Sequence, residues 1–256
     1  MDENDGPLAM SRRILVTGSA SGIGAALYAL LREAGEKPIG LDRADADIIC
    51  DLTDEQAIAP ACKAIMAPLD GIAHVAGLPG TASADAILRV NTLAPIILTK
   101  KLGDKIKDSG SIVVVSSVTA LRCDLAPETM DTALQGGPRE VLKLGENSDG
   151  KSTYELSKAL INRWALHQAG SFKSRRIRIN TVSPGPVETP ILKDFETSIG
   201  SDRIAAAGAL TGRHGTPQEI ATAIAFLLSD QAGWINGTDL KVDGGYHAFR
   251  TAEGAR

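Results

Sequence analysis

An α/β fold, a single domain built on a doubly wound parallel sheet of about seven strands with helices on both faces, is predicted by three observations. Short aliphatic and β-branched runs alternate with longer stretches whose apolar residues recur at helical spacing, the pattern of repeated strand–helix units. Several of those runs end in glycine or small polar residues, as strands do where an open sheet opens its binding crevice. A chain of 256 residues, 43% hydrophobic and 23% charged, is also long enough for one sizeable core of ordinary globular composition.

The first unit is Arg13 to Gly24, R-I-L-V-T-G-S-A-S-G-I-G. Ile14 to Thr17 read as a buried strand, Gly18, Gly22 and Gly24 as a turn, and Ala25, Ala26, Leu27, Leu30 and Leu31 as one helix face. Glycines let a backbone approach an anion, and a helix N-terminus offers it unpaired N–H groups, so the unit predicts a Rossmann-type phosphate site. Gly18, Ser21, Gly22, Ile23 and Gly24 are its candidate residues. The spacing is G-x-x-x-G-x-G rather than G-x-G-x-x-G, and a Gly-rich turn of no functional meaning is the competing reading.

Pro38 to Leu41 form a second strand ending at Asp42, 18 residues beyond Gly24. A carboxylate there accepts hydrogen bonds from a ribose diol and repels a 2′-phosphate, so NAD is expected in preference to NADP. Arg43 is the competing feature, because it could receive that phosphate. Asp47 to Cys50 look like a third strand although a parallel crossover normally takes a dozen residues; Asp51 and Leu52 follow as candidate cofactor contacts. Thr53 is read as the next helix start. Gly71 to Gly77 is the fourth strand, with Ala76 and Gly77 small enough for a ligand to approach. In the following helix Asn91, with Pro95 four residues on, predicts a kink where a polar side chain turns inward. Ser111 to Val115 is the fifth strand, emptying into Ser116 and Ser117.

Residues 122–150 read as an insertion holding one amphipathic helix near Thr129 to Leu144. Tyr154 opens a long helix to about Ala169, with Lys158 one turn on and on the same face. The cluster Lys173, Arg175, Arg176 and Arg178 is taken as a solvated turn before the sixth strand, Ile177 to Val182. Residues 186–215 read as a substrate lid, and Thr216-Pro217-Gln218-Glu219 as a capping-box helix start. A last strand, Asp239 to Val242, ends at Asp243-Gly244-Gly245. The domain is thus expected over 11–248, between a flexible leader (1–10) and a tail (249–256).

Composition excludes several classes. With 27 basic and 31 acidic residues the net charge is −4, which argues against a nucleic-acid surface. Three cysteines without C-x-x-C spacing suit a reducing compartment, and the four scattered histidines suggest no metal site. No long apolar run or signal-like start is present, so a cytoplasmic protein off the membrane is expected.

The crevice gathers Asn91, Ser117, Tyr154 and Lys158. A lysine ammonium one turn from a tyrosine favours the phenolate, letting Tyr154 take a proton from an alcohol or return it to a reduced carbonyl. Ser117 would hold the substrate oxygen, and Asn91 could anchor a water passing the proton outward. These residues make the chain resemble the short-chain dehydrogenase/reductases. The family's T-G-x-x-x-G-x-G stands at Thr17 to Gly24, Y-x-x-x-K at Tyr154 to Lys158, and P-G-x-V-x-T at Pro184, Gly185, Val187 and Thr189. V-D-G-G stands at Val242 to Gly245. The resemblance implies hydride transfer between a nicotinamide and a small-molecule secondary alcohol or ketone. It also implies that Lys158 holds the nicotinamide ribose and that Val187 and Thr189 touch the carboxamide. His74-Val75 replaces the usual N-N, and Tyr154 stands 37 positions after Ser117. Together with a segment between the second and third strands that is shorter than is typical of the family, these features are similar to the bacterial 3α-hydroxysteroid dehydrogenase/carbonyl reductase branch, and imply a homo-oligomer in which 122–150 favours a dimer over a tetramer. A nucleotide-sugar epimerase-like enzyme and a non-catalytic dinucleotide-sensing protein are the alternatives on the same fold.

Overall fold

The computed structural model describes residues 11–254; the leader expected over 1–10 and the end of the tail lie outside the described residues. From Arg13–Thr17 (β1) the chain turns into Gly22–Glu33 (α1), then Lys37–Asp42 (β2), Ile48–Ile49 (β3), Glu55–Ala64 (α2) and Leu69–His74 (β4). Ala84–Leu88 (α3) runs through a π-helical turn at Arg89–Leu93 into Ala94–Leu102 (α4), followed by Ile106–Val115 (β5). Pro127–Gly136 (α5) and Pro138–Lys143 (α6) precede the long Gly150–Ser171 (α7) and Arg178–Pro184 (β6). Leu192–Ile199 (α8), Ser201–Thr211 (α9), Pro217–Leu228 (α10), Asp239–Val242 (β7) and Tyr246–Ala252 (α11) complete it.

Among the described residues the seven strands form one parallel sheet in the order β3-β2-β1-β4-β5-β6-β7, with the topological switch between β1 and β4. Alternating strand residues feed two cores, as a sheet covered on both faces requires. Leu15, Ile72, Ile112, Val114 and Ile179 pack on Ile58 of α2, Leu98 of α4 and Ile161 and Trp164 of α7. Ile14, Val16, Ala73, Val113 and Val182 pack on Leu27 and Leu31 of α1 and Ile220, Ile224 and Leu227 of α10. A third cluster, Met130, Ala133 and Val141 with Leu88, Leu156 and Leu160, seats the insertion on α3 and α7.

Several boundaries differ from expectation. The insertion carries two helices, because Gly137 at φ 87° breaks the run between α5 and α6. Helix α7 begins at Gly150, capped by Asp149 through the Ser152 amide, so Tyr154 lies one turn inside it. Asp54, not Thr53, caps α2 by accepting from the Gln56 amide. Helix α11 crosses the expected domain edge at 248. Arg178 is no solvated residue: it is 8% exposed and donates to the carbonyls of Leu227 and Ser229, tying β6 to the end of α10. The third strand is only two residues long. It pairs parallel to β2 across a five-residue connection, closed by the Asp47 carboxylate accepting from the Gly40 amide at 2.7 Å and the Tyr28 hydroxyl at 3.0 Å. The capping box at Thr216 and Glu219 forms as expected.

Candidate active site

The glycines of the first turn are demanded by close backbone approach. Gly18 sits at φ 71°, and a Cβ there would stand 2.8 Å from the backbone of Ala76; a Cβ on Gly24 would stand 1.9 Å from the Gly18 carbonyl oxygen. Thr17 locks the same contact from the strand side, its hydroxyl accepting from the amides of Val75 and Ala76. Ser21 is the N-cap of α1 and makes no capping bond, so no capping side chain occupies the first-turn amides. Gly22, at φ 53°, faces Thr189, which joins the two ends of the expected cofactor track. Ile23 and Val187 line the adjoining cavity. These features fit a dinucleotide.

Asp42 lies at the C-terminal end of β2. One oxygen accepts from the Ala20 amide at 3.0 Å and the other from the Arg43 amide at 2.7 Å, so the carboxylate is fixed against the glycine turn while keeping lone pairs for a further donor. Asp51 accepts from both the amide and hydroxyl of Thr53, bonds that hold its carboxyl below the usual range. Leu52 is buried behind it.

Asn91 occupies the π-helical turn, where an extra residue per turn rotates the side chain inward. Its Oδ1 accepts from the Leu78 amide at 2.7 Å, and its Nδ2 donates to the Leu78 carbonyl at 3.0 Å and to Ser157 Oγ at 3.1 Å. Both amide hydrogens are therefore used, and only the remaining Oδ1 lone pair could receive a water; Asn91 chiefly fixes the loop after β4 against α7. Gly77 is the point of convergence: a Cβ there would lie 3.5 Å from Asn91 Oδ1 and 3.6 Å from Lys158 Nζ.

Ser117, Tyr154 and Lys158 share one cavity of about 680 Å³. Ser117 follows β5 and its hydroxyl accepts from the amide and hydroxyl of Thr119. Lys158 is 3% exposed, donates to the Val115 carbonyl at 2.9 Å and is pushed down to about 8 by burial. Burial pushes the Tyr154 phenol up to about 12, while a hydrogen bond with Ser117 acts in the opposite direction. The expected lowering by Lys158 is thus not what the protein alone provides. Its Nζ lies 5.7 Å from the ring centroid and is turned to Val115, so desolvation wins.

The lid expected over 186–215 is largely helical. Phe195 of α8 packs edge-on against Tyr154 with ring centroids 5.1 Å apart, and Ile204, Ala207 and Leu210 of α9 extend the apolar wall. Arg122, Glu155, Phe195 and Tyr246 line the cavity and were not legible as site residues, since no motif marks them. The one signal was Glu155, a charged residue beside Tyr154 on a helix otherwise buried there. Among the described residues no cluster could hold a metal ion and no helix is long and apolar enough to cross a membrane.

Residues 143–247 match the family model described as enoyl-(acyl carrier protein) reductase, and residues 14–183 match the NAD dependent epimerase/dehydratase family. The chain is 34% identical to coniferyl-alcohol dehydrogenase from Pseudomonas sp. (strain HR199 / DSM 7063), over 92% of its own length and 96% of the relative's. It is 30% identical to the 3-alpha-hydroxysteroid dehydrogenase/carbonyl reductase of Comamonas testosteroni, again over 92% and 96%. In three dimensions it resembles 3-alpha-hydroxysteroid dehydrogenase from Pseudomonas sp. B-0831, solved with NADH, at TM-score 0.86 and 33% identity, covering 94% of this chain and 99% of that one. These whole-length relatives carry the names of dehydrogenases. The protein belongs to the short-chain dehydrogenase/reductases and is an NAD(P)-dependent oxidoreductase.

Proposed function

We propose that the protein moves a hydride between NAD(H) and a secondary alcohol or ketone, with hydroxysteroids and other cyclic or xenobiotic carbonyl compounds as the substrate class. The observation carrying this reading is the meeting of Tyr154, Ser117 and Lys158 in a single, mostly apolar cavity beside Gly77. Bound nicotinamide supplies or accepts the hydride. The chain's own residues handle the oxygen and its proton. Tyr154, kept neutral by burial, is in the state that donates its phenolic proton to the oxygen of a carbonyl under reduction. Ser117 holds that oxygen. The reverse direction requires the phenolate, so oxidation gains with rising pH while reduction does not. Lys158 binds the nicotinamide ribose, and its charge is present below about pH 8. Asn91 positions the loop that carries Gly77.

Gly18, Ser21, Gly22, Ile23 and Gly24 take the pyrophosphate, Asp42 the adenine ribose, and Asp51 and Leu52 the adenine. Ala76 and Gly77 line the track, and Val187 and Thr189 take the carboxamide. Asp42 supports NAD over NADP, because its charge opposes a 2′-phosphate. The free cysteines support a cytoplasmic location, and the exposed Trp234 and Leu166 support a homo-oligomer, dimer or tetramer. A panel of secondary alcohols and ketones, followed by cofactor absorbance with NAD and NADP in parallel, tests the reading. Turnover is expected with NAD(H) and lost in Tyr154→Phe; a Tyr154→Phe protein as active as the parent would sink it.

A further inference from the structure

Ser117 is held by bonds on every side. It caps the short helical turn Val118–Arg122 that leaves β5, and its carbonyl accepts from the Ala120 amide at 3.1 Å. Ser116 before it is fixed as firmly, its amide donating to the Val182 carbonyl at 2.7 Å and its hydroxyl to the Lys158 carbonyl at 3.2 Å. On the side chain, Ser117 Oγ accepts from the Thr119 amide at 3.2 Å and from the Thr119 hydroxyl at 3.0 Å. A serine hydroxyl has two lone pairs and one proton. Thr119 takes both lone pairs, so what Ser117 offers the cavity is its O–H. The phenol oxygen of Tyr154 is one acceptor there, and its hydrogen bond with Ser117 acts to lower that phenol.

From this geometry we infer that Thr119 is a positioning residue for the reaction, one that makes Ser117 a donor only and turns its proton toward the reacting oxygen. The inference rests on the reading of the cavity as the alcohol/ketone site. A carbonyl or alkoxide oxygen is an acceptor, so the chain from Thr119 through Ser117 to that oxygen runs in one direction. A hydroxyl that already accepts is also the stronger donor. As hydride arrives the oxygen gains charge, and the bond from Ser117 strengthens with it, so the benefit is largest in the transition state. The arrangement divides the labour as well. A serine with both lone pairs filled cannot take the substrate's proton, which leaves that step to Tyr154. Without the Thr119 hydroxyl one lone pair opens, and the Ser117 proton is no longer confined to the direction of the substrate.

The test follows reduction of cyclohexanone by NADH in the parent, Thr119→Val, Thr119→Ser, Ser117→Ala and the Ser117→Ala/Thr119→Val pair. Thr119→Val keeps the side-chain shape and the amide bond and removes only the hydroxyl. Its kcat/KM should fall about tenfold, the scale of one hydrogen bond, with the larger part in kcat. Thr119→Ser should restore most of the loss. Ser117→Ala should lose more, and adding Thr119→Val to it should cost less than about a further twofold, because Thr119 acts through Ser117. Binding of cyclohexanone to the NAD-saturated protein, which cannot react, reports the same hydroxyl without turnover. It should be about threefold weaker in Thr119→Val and close to the parent in Thr119→Ser. A Thr119→Val protein within about twofold of the parent in both measurements, or one that loses as much beside Ser117→Ala as alone, overturns the inference. A Ser117→Ala protein as active as the parent overturns instead the reading of the site on which it rests. Absence of turnover, with the binding constants in the expected order, overturns the reading of the reaction and leaves the role of Thr119 standing.

Discussion

The two ends of the crevice are made differently. The cofactor end, from β1 to the loop after β4, is shaped mostly by backbone: Gly18 against Ala76, Gly24 against Gly18, and the Gly18 amide donating to the Leu41 carbonyl at 2.9 Å. The substrate end is shaped by side chains from elements far apart in sequence. Arg122 reaches Tyr246 across 124 positions, and Phe195 of the lid meets Tyr154 of α7. A backbone-built site tolerates almost no added atom, whereas a side-chain-built site can change its walls without losing its frame.

The sharpest way to break that contrast is to add one carbon to the cofactor end. Gly24→Ala puts a methyl 1.9 Å from the Gly18 carbonyl oxygen, and neither backbone can yield. A loss of about 3 kcal/mol in denaturant unfolding is expected, together with cofactor binding. Gly103→Ala is the control: it has right-handed φ and nothing within 4 Å of the new atom, and should stay within about 0.5 kcal/mol. Equal losses in the two would mean that backbone approach is not what Gly24 serves.

His74 is the exception inside the cofactor end, a buried side chain with Nε2 2.9 Å from Thr99 Oγ1 and an unpartnered Nδ1. Burial pushes it down to about 3 from the usual 6.5. The unfolded chain therefore takes up a proton that the folded one refuses. Its contribution is fully present above pH 6.5 and is lost progressively as pH falls toward about 3. Between pH 6.5 and 5 that amounts to about 2 kcal/mol. His74→Asn keeps a polar partner for Thr99 and cannot titrate, so its stability should fall less over this interval; a parallel fall in both proteins would contradict the assignment.

A smaller effect is expected at Asp42, the side chain proposed to set the cofactor preference. Asp42→Ser removes the charge that opposes a 2′-phosphate and leaves Arg43 beside it. The NAD-over-NADP ratio of kcat/KM should drop by about tenfold, or about 1.4 kcal/mol. A parent protein that already prefers NADP would reverse the roles of Asp42 and Arg43.

The same contrast explains what could be read from the sequence. Gly18, Gly22 and Gly24 are spaced by a local backbone requirement, and Tyr154 and Lys158 by one helical turn, so both patterns survive in a single string of letters. The doubly wound sheet was legible for the same reason, each strand carrying its own apolar run. Where tertiary packing decides, the string was silent or misleading. Arg178 belonged to a basic cluster, yet carbonyls from α10 and beyond draw it inside. Gly137 divides a stretch that looked like one helix. The apolar residues of 191–210 form lid helices whose inner face depends on α7 beneath them. Lys158 and Tyr154 are on one helix face as expected, but the carbonyl of Val115, from β5, takes the ammonium.

The central claim is that Tyr154 moves the proton in a cavity whose cofactor end is built independently of it. Turnover and cofactor affinity of Tyr154→Phe, measured on one secondary alcohol or ketone, test it most directly. The account predicts a fall in kcat of about a thousandfold, within the range a positioned acid or base contributes, with the dissociation constant of NADH changed by less than about threefold, a few tenths of a kcal/mol. Turnover within tenfold of the parent, at unchanged NADH affinity, would contradict it.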